Sequence, residues 1–180
     1  TVIKLYQDWF QLEWIRIEKA RFQAVQGYGL PIPTVGEITR ANDRNGLILE
    51  RIDGTNMLDM LIQNPQLASS MAIRLANLQV ELHAVDGQPD IPLLHQKLEG
   101  KIRAAAPLPD DLKTALIDKL HTMPHGNSIC HGDFHPGNII VTEDGEVIVD
   151  WLDCAYGNPI ADVARSTILF LGGITGNETP

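Results

Sequence analysis

Long apolar runs, basic surplus and cysteine are all scarce in this sequence, and each shortage removes a class of function. No stretch of eighteen consecutive apolar residues occurs, so a bilayer-spanning helix, which needs about twenty, is not expected. The opening Thr1-Val2-Ile3-Lys4-Leu5 lacks the basic, apolar and small-residue order of a secretory leader. A cytoplasmic protein is the expectation. Lys and Arg total 14 against 23 Asp and Glu, a formal net charge of −9. Binding along a phosphate backbone calls for a basic face, so no nucleic-acid partner is expected. The acidic balance supports solubility and favours cationic partners. Two cysteines, Cys130 and Cys154, are too few for a disulfide framework and suit a reducing compartment. With His131 and His135 nearby, Cys130 still follows no usual structural zinc spacing. Internal repeats and low-complexity tracts are absent too.

What remains is an ordinary globular composition, 44% hydrophobic over 180 residues, enough for one domain or two small lobes. Thr1–Tyr6 reads as a short strand carrying Lys4. Residues 11–26 are mostly good helix formers, stopped by Gly27, Gly29, Pro31 and Pro33. Thr34–Thr39 and Gly46–Ile52 read as strands around the turn-rich Asn42–Gly46. After Asp53-Gly54 the character becomes helical. Asn56 can cap a helix through Met57, Leu58 and Leu61. In Leu67–Val85 the residues Met71, Leu75, Leu78, Leu82 and Val85 recur at helical spacing. Ile73, Ala76 and Val80 make the opposite side apolar as well, which predicts a helix buried on both sides. Pro109-Asp110-Asp111 opens a further helix, and Lys119 and His121 close it, as the macrodipole favours.

The chemistry concentrates in His131-Gly132-Asp133-Phe134-His135-Pro136-Gly137-Asn138, the apolar Ile139-Ile140-Val141, and Val147-Ile148-Val149-Asp150. Asp144-Gly145 between the two apolar runs is a hairpin signal. Pairing around it brings Asn138 almost opposite Asp150, and paired Cα atoms lie about 4.5–5.5 Å apart. An amide oxygen and a carboxylate are hard ligands suited to magnesium held against phosphates. Asp133, on the loop entering the hairpin, can face the same point and accept a hydroxyl proton, the division of labour that phosphoryl transfer needs.

These residues resemble a known family. His131-x-Asp133 followed by Asn138 is similar to the catalytic-loop motif of aminoglycoside phosphotransferases, choline kinases and their relatives. Asp150-Trp151 stands where protein kinases carry the aspartate of Asp-Phe-Gly. The resemblance implies ATP and Mg2+ as cofactors, Asp133 as catalytic base, Asn138 and Asp150 as metal ligands, and His131 as support for the loop. Val2-Ile3-Lys4-Leu5 resembles the strand whose lysine contacts the α- and β-phosphates, which makes Glu18 the implied ion-pair partner of Lys4. Leu49-Glu50-Arg51-Ile52 resembles the hinge, with Glu50, Arg51 and Ile52 offering backbone hydrogen bonds to adenine. Leu82-His83 and Asp162-Val163-Ala164 recur in the family as scaffold. Resemblance covers nearly the whole chain, and His131 to Asp150 is its specific part. Plainer readings stand beside some of these residues. A lysine on a short edge strand blunts the edge, and a helix-surface glutamate such as Glu13 or Glu18 is usually solvated. Asp153 either adds charge near the metal or faces water.

The implied fold is α+β and protein-kinase-like. Residues 1–53 would form a partial N-terminal nucleotide-binding lobe, strand-helix-strand-strand, and residues 54–180 an incomplete helical C-terminal lobe carrying the catalytic hairpin. The implied activity is ATP- and Mg-dependent transfer of a phosphoryl group to a hydroxyl of a small molecule, aminoglycoside-like, choline-like or related. The acidic charge favours a cationic one. The glycine-rich hairpin expected before the lysine strand is missing, and the helices the resemblance implies beyond Asp162 are cut short at Pro180, so an excerpt from a longer polypeptide is expected, with a degenerate gene product as the other explanation. A non-catalytic nucleotide-binding or interaction module is the alternative. A protein kinase is disfavoured by His131-Gly132-Asp133 and by the lack of an activation segment ending like Ala-Pro-Glu. The strand at Thr1–Tyr6 would expose an edge able to pair with a second copy; a strictly monomeric species in light scattering across concentrations would exclude that.

Overall fold

The computed structural model describes residues 1–87 and 90–175. Its first part is an antiparallel sheet of β1 (Val2–Leu5), β2 (Val35–Ala41) and β3 (Arg44–Leu49), in the order β1-β3-β2, with helix α1 (Leu12–Gln26) packed on it. Ile15, Glu18, Phe22 and Val25, spaced three, four and three apart, form the buried stripe of α1, the period expected of one helix face. Hydrophobic burial drives this docking, at roughly 1.5–3 kcal/mol for each large apolar side chain. Glu18 is the charged member of that stripe.

The connection between β2 and β3 is tighter than the five residues read as a turn. Ala41 pairs with Arg44, leaving a two-residue turn whose Asn42 and Asp43 have φ of +52° and +59°. Positive φ at both central residues is what a type I′ hairpin requires, and Asn and Asp tolerate it. Arg44, Asn45 and Gly46 therefore belong to β3. Gly46 serves packing: a Cβ there would lie 2.6 Å from Ile3 Cγ2.

The rest of the chain is mainly helical. Strand β4 (Thr55–Asn56) leads into α2 (Met57–Gln63), and the Asn56 side chain accepts the Leu58 N–H as its cap at 2.9 Å. Helix α3 (Ala68–His83) buries Met71, Leu75, Leu78 and Leu82. Ile73 and Val80, read as buried on a second face, are 63% and 68% exposed. The apolar period specifies one packed face of α3, and among the described residues nothing covers the other. Helices α4 (Leu94–Ala104) and α5 (Asp110–His121) follow. Strands β5 (Ser128–Cys130) and β8 (Ala155–Gly157) pair with each other, while β6 (Ile139–Val141) sits between β4 and β7 (Glu146–Ile148). Helix α6 (Pro159–Thr175) ends the described chain. One continuous core joins Ile15, Phe22 and Leu47 of the first part to Met57, Leu82, Phe134, Ile139, Ile148 and Trp151 of the second. That shared core sets the lysine strand against the hairpin. No helix among the described residues is long and apolar enough to cross a membrane.

Candidate active site

The loop between β5 and β6 is built around His131, which is fully buried. Burial pushes the His131 imidazole below its ordinary pKa, so the ring is neutral. Its Nε2 lies 3.0 Å from the Val149 carbonyl and therefore carries the proton, leaving Nδ1 to accept the Asp133 N–H at 3.3 Å. One ring thus ties the loop to the end of the hairpin. Asp162 at the start of α6 supports the loop from below. Its carboxylate accepts the His131 N–H at 3.1 Å and the Gly132 N–H at 2.7 Å, and meets His83 Nε2 at 3.0 Å. Burial alone would raise the Asp162 pKa, but the His83 and Gly132 hydrogen bonds outweigh it and hold the carboxyl below its ordinary range. Gly132 has φ +80°, and a Cβ there would collide with the Asp153 carbonyl, so glycine alone fits.

Strands β6 and β7 pair with Ile139 opposite Ile148. The Val149 N–H donates to the Asn138 carbonyl at 3.0 Å, so Asn138 faces Val149 and Asp150 lies one residue beyond. Asp150 adopts the left-handed conformation, φ +65° and ψ +68°. A non-glycine residue there stores roughly 1–3 kcal/mol of strain, which Trp151 offsets by full burial, a 3.1 Å hydrogen bond to the Ile148 carbonyl and an edge contact with His131. This kink takes Asp150 off the ladder and sets its carboxylate 3.1 Å from Lys4 Nζ.

Lys4 also donates to Glu18 at 2.7 Å, and Glu18 accepts the Tyr6 hydroxyl at 2.8 Å. Burial opposes the charge on Lys4, yet Glu18 and Asp150 outweigh it and keep the lysine pKa above its ordinary value. Lys4, Glu18, Glu50, Arg51, Ile52, Asn138 and Asp150 all line one cleft of about 430 Å³, whose apolar walls include Val2, Phe22, Leu49, Ile140 and Val149. The Glu50 carboxylate is engaged by the Thr34 N–H at 2.9 Å and Arg51 by Asp53 at 2.8 Å, so a ligand would meet the backbone of this segment and the Ile52 side chain.

Asp133 lies beside that cleft. Its Oδ2 is 3.2 Å from Asn138 Nδ2, which also donates to the Asp133 carbonyl at 2.9 Å. With its amide nitrogen committed, Asn138 has Oδ1 left for a cation. An amide oxygen and a half-exposed carboxylate lining the same cleft fit a hard divalent ion such as Mg2+.

Two further side chains touch Asp133, and sequence reasoning missed both. His135 Nδ1 accepts the Gly137 N–H at 3.1 Å, so a neutral ring carries its proton on Nε2, 3.4 Å from Asp133 Oδ2. Arg165 Nη2 lies 3.4 Å from Asp133 Oδ1. A signal for Arg165 existed: it stands three residues after Asp162 on α6, one turn along the same helix. Asp153, read as near the metal or facing water, is one-third exposed and held by two lysines. It bridges Lys97 at 2.8 Å and Lys101 at 2.9 Å. Burial would raise its pKa, but those lysines bring it down to about 2.

A small antiparallel sheet with one packed helix, set against a helical part whose hairpin carries Asn138 and Asp150, defines a protein-kinase-like fold. The chain belongs to the phosphotransferase enzyme family, whose model matches residues 11–175. Among solved structures it is similar to an aminoglycoside-3'-phosphotransferase of type VIII, with TM-score 0.61 and 20% identity over 87% of this chain and 64% of that one. It is also similar to a choline/ethanolamine kinase family protein from Mesorhizobium loti, with TM-score 0.59 and 16% identity over 92% and 57%. Amicoumacin kinase, solved with AMP-PNP and Ca2+, gives TM-score 0.55 and 16% identity over 87% and 53%. The chain thus spans 64%, 57% and 53% of the lengths of these proteins. A search of curated proteins gave no match.

Proposed function

We propose that this chain carries the catalytic centre of a small-molecule kinase that moves the γ-phosphoryl group of ATP to a hydroxyl of its acceptor. The observation that carries the reading is the single cleft lined by Lys4, Glu18, Asn138 and Asp150, with Asp133 hydrogen-bonded to Asn138 at its side. In this reading the apolar walls and the Glu50–Ile52 backbone hold adenine, and Lys4, fixed by Glu18, meets the α- and β-phosphates. Asp133 takes the acceptor's hydroxyl proton as that oxygen bonds to the γ-phosphorus. The bond from the γ-phosphorus to the bridging oxygen breaks, and its electron pair leaves with ADP. Mg2+, held by Asn138 and Asp150, would supply neutralisation of phosphate charge. His135 and Arg165 keep the Asp133 carboxylate oriented. A nucleotide analogue and a divalent ion in the amicoumacin kinase structure support the cofactor assignment.

The test is thermal unfolding at millimolar ATP with and without Mg2+. A rise in melting temperature that requires the metal and disappears in Asp150→Ala is expected. The absence of any shift in the parent protein would remove the nucleotide-binding reading, while a shift without ADP formation for any hydroxyl compound would favour a non-catalytic nucleotide-binding module.

A further inference from the structure

A second cavity, of about 280 Å³, opens on the other side of the catalytic loop and is lined by Lys97, Lys101, Gly132, Asp162 and Arg165 among others. Its one lining carboxylate, Asp162, is already engaged, and so are the two carboxylates nearest its donors. Both Asp162 oxygens accept hydrogen bonds, one from the Gly132 N–H and the other from the His131 N–H and His83. Asp153 Oδ1 takes both lysines, and Asp133 meets Asn138, His135 and Arg165. Donors, by contrast, are left over. A guanidinium has five N–H groups in a planar fork, and Arg165, with its side chain 47% exposed, spends one contact on Asp133. Lys101, 59% exposed, spends one of three protons on Asp153. The cavity therefore has donors to offer, while its lining carboxylate is already spent.

We propose that Arg165 selects the acceptor, and that the acceptor is a hydroxyl compound bearing an anionic group, a carboxylate by preference, within reach of its guanidinium. This rests on the kinase reading for the hydroxyl and on the cavity for the anion. An acceptor hydroxyl that reaches Asp133 comes within a few ångströms of Arg165, so an ammonium there meets repulsion and a carboxylate finds a bidentate partner. The net charge of −9 pulls the other way at long range, but charges beyond about 8 Å are largely screened at physiological salt. The groups lining the cavity decide.

The test uses matched pairs that keep the hydroxyl and exchange carboxylate for an aminomethyl group: glycolate against ethanolamine, lactate against isopropanolamine, glucuronate against 6-amino-6-deoxyglucose. The Nε–H resonance of Arg165 in the ¹⁵N-labelled protein, assigned by its loss in Arg165→Lys, is followed during titration. The acids are expected to move it and the amines to leave it in place. No movement with any acid, or equal movement with both members of a pair, overturns the proposal. Magnesium-dependent stabilisation by ATP, read on the same samples, separates the two claims: its absence alongside an intact acid response sinks the kinase reading alone. For whichever pair is phosphorylated, Arg165→Gln should raise KM for the acid by about tenfold or more and leave KM for the amine in place, any fall in kcat from the loosened Asp133 being common to both, and Arg165→Lys should recover part of the KM loss. An equal fall in kcat for acid and amine, with KM unchanged, would make Arg165 a group that only orients Asp133 and overturn the selection.

Discussion

Lys4 Nζ lies 2.7 Å from Glu18 Oε1, and Glu18 has no exposure to solvent. Helix α1 buries this carboxylate on the same stripe as Ile15, Phe22 and Val25, so folding must desolvate it, and Lys4 together with the Tyr6 hydroxyl compensates. Truncation to Glu18→Ala leaves both donors without their shared acceptor. Losing one partner of a buried pair costs about 3–5 kcal/mol. Lys4 is one-third exposed and can be rehydrated, which places the expected loss near the lower end, about 3 kcal/mol. Urea unfolding measures it. A loss below about 1 kcal/mol would mean the pair behaves as a surface ion pair.

The separate positions of Asp133 and Asp150 predict separable defects. Asp133 does not line the cleft that holds Lys4 and Glu18, while Asp150 does. Asp133→Asn preserves shape and the hydrogen bond to Asn138 while removing the proton acceptor. A fall in kcat of about 10²–10⁴-fold is expected, with magnesium-dependent stabilisation by ATP retained. Asp150→Ala should abolish that stabilisation. Normal turnover in Asp133→Asn would remove it as the base.

The contrast between these residues also explains what could be read in the chain. The run from His131 to Asp150 is local: its turn is marked by Asp144-Gly145, with Gly145 at φ +136°, and its strands by apolar runs, so loop and hairpin were legible. Their register was legible only to within one residue, because the ladder pairs Asn138 with Val149 and the left-handed kink at Asp150 leaves no mark in composition. Glu18 carried a usable signal, a charge in the middle of an apolar stripe. Arg165 reaches Asp133 across 32 residues, and Lys97 reaches Asp153 across 56. Contacts of that range are set by how α4 and α6 pack, which no local period encodes. For the same reason the second apolar face of α3 read as core although Ile73 and Val80 are exposed.

Gly132 links the loop to the segment after the hairpin. Its φ of +80° costs an L-residue about 1–2 kcal/mol, and an added Cβ would also collide with the Asp153 carbonyl. Gly132→Ala should therefore lose at least about 2 kcal/mol of stability. It should also displace the Asp162 hydrogen bond at Gly132 and lower turnover beyond what stability explains. Gly29 offers the control: it has φ +71°, and an added Cβ there would meet no atom within 4 Å, so Gly29→Ala should show the backbone cost alone. Equal losses in the two variants would show that the collision at Gly132 is relieved without strain.

His131 predicts how stability depends on pH. Its folded pKa lies below the ordinary value because the ring is buried, while in the unfolded chain it titrates near 6.5. As pH falls through about 6.5 the unfolded chain takes up a proton that the folded one refuses, so stability is complete above that value and declines below it. The slope reaches about 1.4 kcal/mol per pH unit until the folded pKa is met. Asp153 and Asp162, both depressed, withdraw their contributions only below about pH 4, where unfolded carboxylates titrate, and do not overlap this window. Urea midpoints measured between about pH 7.5 and 5.5 should therefore fall in the parent protein and fall less in His131→Gln, whose amide can still donate to Val149. Identical pH dependence in the two proteins would mean that the ring accepts a proton without leaving its place between Val149 and Asp133.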